Sequence, residues 1–201
     1  MRAPSTIAAF AAAAAAVAIA CSGCVQVQMP DEVKATAVPK GTVLDLTWSG
    51  AEKLPETVEP VLENTLEDAG WDLKDERIGE RSYKDSNGSC VATIHSGPKP
   101  SDVATDGDDK KATDRYLAKL YGAPEATVNQ IGKNATYVYG NEKADIRSLQ
   151  GAADDGAKWV TSARVFSTSG YAFFTDLTCA AGGNFDVAFA DLVTHVSVKT
   201  D

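Results

Sequence analysis

The chain is poor in the residues that most often carry chemistry. Only two histidines, His95 and His195, occur in 201 residues. Beyond residue 24 there is no C-x-x-C pair, and no G-x-S-x-G, H-E-x-x-H or P-loop string. A zinc site built from two histidines and scattered carboxylates would lack motif spacing. Positive charge is also short, with 19 Lys and Arg against 28 Asp and Glu and a formal net charge of −9. An acidic surface repels phosphates and anionic head groups, which argues against nucleic acid as a partner. No apolar run reaches 18 residues, so no segment reads as a membrane span. No cofactor motif is present, and none is expected to be bound.

What the chain does have begins at its start. Ile7 to Ala20 is apolar, follows Arg2 and is 14 residues long. As a helix it would measure about 21 Å, short of the ~30 Å hydrocarbon core. It fits the apolar region of a secretory signal peptide. Ala18-Ile19-Ala20-Cys21-Ser22-Gly23 follows, with two of the four cysteines, Cys21 and Cys24, close together.

This stretch resembles the lipobox of bacterial lipoproteins, with Ala18 standing where the family most often carries Leu. The resemblance implies cleavage before Cys21, acylation of its sulfur, and anchoring on the outer face of the cell membrane through two or three acyl chains. Each chain contributes about 0.8 kcal/mol per buried methylene. Cys24 is the alternative acceptor, and Ala18-Ile19-Ala20 also satisfies the rule for plain secretory cleavage. The alanine-rich, acidic style is similar to that of lipoproteins from high-GC Gram-positive bacteria. Loss of residues 1–20 removes Arg2 and moves the balance from −9 to −10.

Three segments follow: a signal peptide over 1–20, a lipid-attachment cysteine and tether over 21–41, and one soluble domain over 42–201. The tether reading rests on two prolines and no helical stripe in residues 25–40, and Val25 and Val27 leave a short edge strand as the competing assignment. After export, Cys90 and Cys179 face an oxidising compartment. With Cys21 acylated, Cys24 is left over and Cys90–Cys179 is the natural bridge.

Periodicity sets the elements of the domain. Thr42–Trp48 alternates as a strand. Val58, Val61, Leu62, Leu66 and Ala69 sit at helical spacing, with Thr57 as cap, Pro60 in the first turn and Gly70 as the stop. Strands are expected at Trp71–Leu73 and Cys90–His95, around the turn Asp85–Ser89. A polar loop, 97–111, leads to a helix carrying Ala112, Tyr116, Leu117, Leu120 and Tyr121. Residues 125–156 are least readable, with short strands at 137–139 and 146–149. Trp159–Phe166 and Tyr171–Ala180 form a hairpin. A last helix, capped by Asn184, carries Phe185, Phe189, Leu192, Val193 and Val196. The expected class is α+β: a mainly antiparallel sheet with two to three helices packed on one face. This element mix is similar to that of small helix-on-sheet lipoprotein domains such as PsbP-like ones.

Few residues stand out as sites. Asp106, Asp108 and Asp109 cluster around Gly107, yet Lys110, Lys111 and Ala112 occupy positions an EF-hand needs for ligands and its glycine. A solvated loop is the expectation, and no metal. Trp159, Tyr171, Phe173 and Phe174 crowd one hairpin and are the candidates for a binding surface. Phe173 and Phe174 must face opposite ways. The function expected is a non-catalytic domain that binds an envelope protein or a small ligand. The alternative is a secreted or tethered hydrolase using His95 or His195.

Growth of the native host with a palmitate analogue should label the protein, and a Cys21→Ala, Cys24→Ala double variant should lose both label and membrane association. A double variant still labelled would remove the anchor from this site.

Overall fold

The computed structural model describes residues 45–48, 54, 56, 59–139 and 142–199. The leader, Cys21, Cys24, the tether and the cap Thr57 lie outside the described residues. Those described belong to one compact unit.

The chain builds two antiparallel meanders. The first runs β3 (Asp72–Arg77), β4 (Glu80–Lys84) and β5 (Cys90–Pro98). The second runs β6 (Lys133–Tyr139), β7 (Glu142–Ala152), β8 (Lys158–Phe166) and β9 (Tyr171–Cys179). Between them stand α1 (Asp109–Tyr121) and α2 (Glu125–Ile131). The meanders join where β5 pairs antiparallel with β9, from Cys90↔Cys179 to Pro98↔Tyr171. The short strand β1 (Asp45–Leu46) pairs parallel with β7 and completes an eight-stranded sheet. Lys143 and Ala144 pair with both β1 and β6, and Arg147 and Ser148 with both β6 and β8. A strand has two edges, so β1 and β8 lie in succession along one edge of β7 and leave a fork between them.

Strand alternation divides the sheet into two buried faces. On one face Ala163, Val165, Ala172 and Leu149 meet Ala112, Tyr116, Leu117 and Val128 of α1 and α2. On the other, Ala92, Ile94, Val160, Phe173 and Leu177 meet α3 (Phe185–His195) and a two-stranded ribbon of β2 (Val61–Asn64) and β10 (Val196–Lys199). The expected α+β class, with a mainly antiparallel sheet, is what forms. Two helices share a face as expected, and the third packs across the opposite one.

Two buried arginines lock α1 in place. Arg147 donates to Asp114 Oδ1 at 2.7 Å, to the Gly132 carbonyl and to Asn134. Arg164 fills the fork, donating to the carbonyls of Leu46 and Asp145 and to Asp109 Oδ2 at 2.8 Å. Its guanidinium lies over the Trp48 ring at 4.1 Å. Burial pulls its pKa down while Asp109 opposes the shift.

Three expectations need correction. Helical spacing over 58–69 gives way to β2 and a short 3₁₀ turn, Leu66–Ala69, although Gly70 does end it at φ 82°. The reason is a distant partner: β2 pairs residue for residue with Val196–Lys199. Consequently Val196 begins a strand instead of extending the helical stripe of α3. Finally, α1 starts at Asp109, inside the stretch expected as loop, because Asp108 accepts from the Lys111 N–H as an N-cap at 3.0 Å.

The disulfide Cys90–Cys179 closes a separation of 89 residues at one end of the β5–β9 junction. On the chain-entropy model such a loop stabilises by roughly 4–5 kcal/mol. A Cys90→Ala, Cys179→Ala double variant should lose about 3–5 kcal/mol in urea unfolding, and dithiothreitol should destabilise the wild type but not the variant.

Candidate binding cleft

A cleft of about 540 Å³ opens on the α3 side of the sheet, between the β3–β4 hairpin and the segment entering β2. Alternation along β4 and β5 turns Arg81, Ile94 and Ser96 toward it. Pro60, Leu62 and Asn64 form the facing wall, and Tyr171 stands at the end. Ser96 Oγ donates to the Pro60 carbonyl at 3.1 Å and ties wall to floor. The tip holds Gly79 at φ 75°, where a Cβ would meet the Ser96 carbonyl at 2.7 Å, so glycine is required. Ile78 beside it is fully exposed.

The electrostatics are of paired charge. Arg81 Nε donates to Glu76 Oε1 at 2.7 Å, which raises its pKa. Arg77 pairs with Asp75 at 2.9 Å. A hydrogen bond with Glu59 raises the pKa of the Tyr171 phenol. A smaller concavity of about 340 Å³ shares Asn64, Glu76 and Arg81 and extends the groove toward Leu73 and Tyr83.

The hairpin aromatics do not form one surface. Tyr171 lines the cleft. Phe173 is 1 % exposed and packs on Phe166, so it belongs to the core and to no binding surface. Phe174 and Trp159 lie on the opposite, α1 face, Phe174 stacked on His95 at 5.1 Å and Trp159 against Tyr121 at 5.3 Å. Phe173 and Phe174 do face opposite ways.

His95 sits behind the cleft, on the other side of β5. Its Nδ1 is 3.8 Å from Glu80 and has no hydrogen-bond partner among the described residues. Burial lowers its pKa, with Glu80 opposing. Tyr116 is near enough to Glu80 to feel its charge, and burial pushes this phenol up to about 12. No hydroxyl bonds to the imidazole among the described residues. His195 Nδ1 meets Thr65 Oγ1 at 3.0 Å on the surface, and no ion pair joins it to a carboxylate among the described residues. The chain also holds one S-x-x-K string, Ser96–Lys99, that motif reading passes over. Ser96 bonds Pro60, and Lys99 Nζ bonds the Val103 carbonyl at 2.9 Å, so the two do not act on each other.

Asp106, Asp108 and Asp109 are occupied as structural groups. Asp106 pairs with Arg115 at 2.8 Å, Asp108 caps α1, and Asp109 holds Arg164 and the Ser167 N–H. Among the described residues no group of three His, Cys, Asp or Glu is placed to hold a metal ion.

No family model matches this chain, and no curated protein sequence matches it. Among solved structures, it is similar to a protein from Bacteroides thetaiotaomicron at 12 % identity and TM-score 0.37, over 65 % of this chain and 42 % of that one. It is also similar to cyanobacterial PsbP (CyanoP) from Synechocystis, at 13 % identity and TM-score 0.32, over 70 % of this chain and 93 % of that one. The chain thus spans well under two thirds of the first protein. At TM-scores of this size the likeness assigns neither family nor function.

A second polar group escaped the sequence reading. On the α1 face, Tyr121 OH bonds Thr161 Oγ1, Thr161 donates to Asp176 Oδ1, and Thr178 donates to Asp176 Oδ2 at 3.3 Å. Burial raises the Asp176 pKa, and the two threonine hydroxyls only partly offset it. Burial likewise pushes the Tyr121 phenol up to about 12. A carboxyl raised in the fold binds its proton more tightly there than in the unfolded chain. It therefore lowers stability as pH climbs from the ordinary 3.8 through the raised value. An Asp176→Asn variant should melt higher than wild type at pH 7, and the gain should shrink as pH falls toward 3.8. Melting curves across pH check this, and a gain that does not vary with pH would contradict it.

Proposed function

We propose that this chain is an extracytoplasmic lipoprotein, held to the membrane through Cys21, or Cys24 in the alternative register, and that its domain binds a ligand or protein without transforming it. The carrying observation is the cleft of about 540 Å³, which lies in the range of small-ligand sites. Its walls offer paired arginines and carboxylates, a phenol and apolar side chains, the materials of recognition. The lipobox-like start supports the tether, and the disulfide of the domain suits an oxidising compartment. The described helices include none long and apolar enough to cross a membrane.

The hydrolase alternative keeps one favourable observation, the Glu80 carboxylate near His95. Among the described residues it lacks a nucleophile aligned with the imidazole, as general-base chemistry requires.

The two readings part on one comparison. Wild type and His95→Ala should give the same background release from p-nitrophenyl acetate and p-nitrophenyl phosphate. Ligand-observed NMR screening should find binders whose signals are lost with Arg81→Ala. Turnover that depends on His95 would reverse the assignment, and binders indifferent to Arg81 would move it away from the cleft.

A further inference from the structure

The α1 helix covers only part of its face of the sheet. It packs on β7 and β8. On that same face Glu80, Ser82, Thr93, His95 and Asp176 are only half-buried, and Lys84 and Thr178 are exposed. Register places Thr93 and Thr161 on either side of Asp176, with Ser82 next to Thr93. Ser82 Oγ and Thr93 Oγ1 are 3.0 Å apart, which completes a polar row across four strands.

Asp176 stands at the centre of that row without a counter-charge. No lysine, arginine or histidine comes within ion-pair distance of it among the described residues, whereas Asp109 and Asp114 each hold a buried arginine. Lys84 is turned away, since its Nζ lies 2.9 Å from where a Gly88 Cβ would stand. His95 is stacked on Phe174. Thr161 has one proton and gives it to Asp176, so Tyr121 is the donor in its bond to Thr161. Hydroxyl dipoles therefore point at the carboxylate from two sides, yet no full positive charge does.

The wall beside it is apolar. Tyr116 contacts Phe174, and Tyr121 reaches Thr161, so α1 runs along the row. Leu120 is one turn on from Tyr116 on the same helix face. Leu120 and Tyr121 are 41 % and 42 % exposed, large apolar side chains at the end of the helix whose Tyr121 reaches the row. From β9 to β4 the strip is two strand spacings, or ~10 Å, across, which suits a small molecule better than a protein surface.

We propose that Asp176, Thr93 and Thr178, bordered by Leu120 and Tyr121, form a binding site for the primary ammonium group of a small alkylamine. The ammonium brings three donors and no acceptor. Asp176 retains acceptor capacity, Thr93 and Thr178 add hydroxyl oxygens, and a short alkyl stem lies along Leu120 and the Tyr121 ring. The rise in the Asp176 pKa on burial agrees with a carboxylate that lacks its cation. This site is on the opposite face from the cleft and stands whether or not the cleft binds anything.

The test is a titration of the full chain with n-pentylamine and, separately, n-pentanol at pH 7, followed by amide NMR shifts. Pentylamine should move Thr93, Leu120, Asp176 and Thr178 saturably, and bind at least tenfold more tightly than pentanol. Asp176→Asn should weaken it tenfold or more, while Asp154→Asn, an exposed carboxylate elsewhere, leaves it unchanged. Thr93→Lys, which places an ammonium in the groove, should abolish binding and covers the case of a poorly folded Asp176→Asn. No saturable shift, equal binding of pentanol, or undiminished affinity in folded Asp176→Asn or Thr93→Lys would overturn the site.

Discussion

The antiparallel junction of β5 with β9 is the constraint on which the rest depends. Each meander is a run of local hairpins, and neither is separately covered on both faces. Their union aligns segments 89 residues apart at the bridging cysteines, so it carries a large loop-closure cost before any pairing is gained. The bridge Cys90–Cys179 moves part of that cost into the unfolded state. Once the junction forms, both cores cross it. Phe173 and Leu177 of β9 meet Ala92 and Ile94 of β5 on one face, and Phe174 stacks on His95 on the other. The cleft and the Asp176 groove both use β5 as floor, so both inherit their geometry from this pairing.

The second determinant is where α1 comes to rest. A helix packed only by apolar contacts could slide along a sheet. Here Asp114 meets Arg147 and Asp109 meets Arg164, on two different strands. Burying such charges costs several kcal/mol each, and removing one partner of a pair typically costs about 3–5 kcal/mol. The net gain in stability is therefore small, while the gain in position is large. Pinned over β7 and β8 and touching β9 at Ala172 and Phe174, α1 leaves β5, β4 and the Asp176 end of β9 less covered on that face, and the polar row lies there.

Much of the fold was legible from local chemistry. Alternation gave the β8–β9 hairpin almost to the residue, and the turn Asp85–Ser89 stood between strands. What was not legible depended on partners far away in sequence. Leu62 reads as helical until Val198 is known to pair with it. Nothing in the spacing of Arg147 and Arg164 names Asp114 or Asp109 as their partners. The cleft was equally hidden, since Tyr171 is the only aromatic of the hairpin that reaches it. Asp176 did carry one signal: an acid between Thr175 and Leu177 in a β-rich run, on the same strand face as Phe174 and Thr178, where a carboxylate is out of place without a reason.

Strand geometry also bears on the recognition proposed for this chain. Acid–base chemistry needs unlike groups converging within hydrogen-bond reach. In a strand, neighbours in sequence point to opposite sides. His95 and Ser96 are adjacent, and for that reason the imidazole stacks on Phe174 behind the sheet while the hydroxyl faces Pro60 in the cleft. Glu80 and Arg81 are divided in the same way, one toward His95 and one toward Glu76. Alternation thus distributes the chain's few reactive groups over two surfaces, each with dipoles and charges spread along several strands. A spread array of that kind can grip a ligand at several points, and among the described residues it does not bring a nucleophile, a base and an orienting acid to one atom.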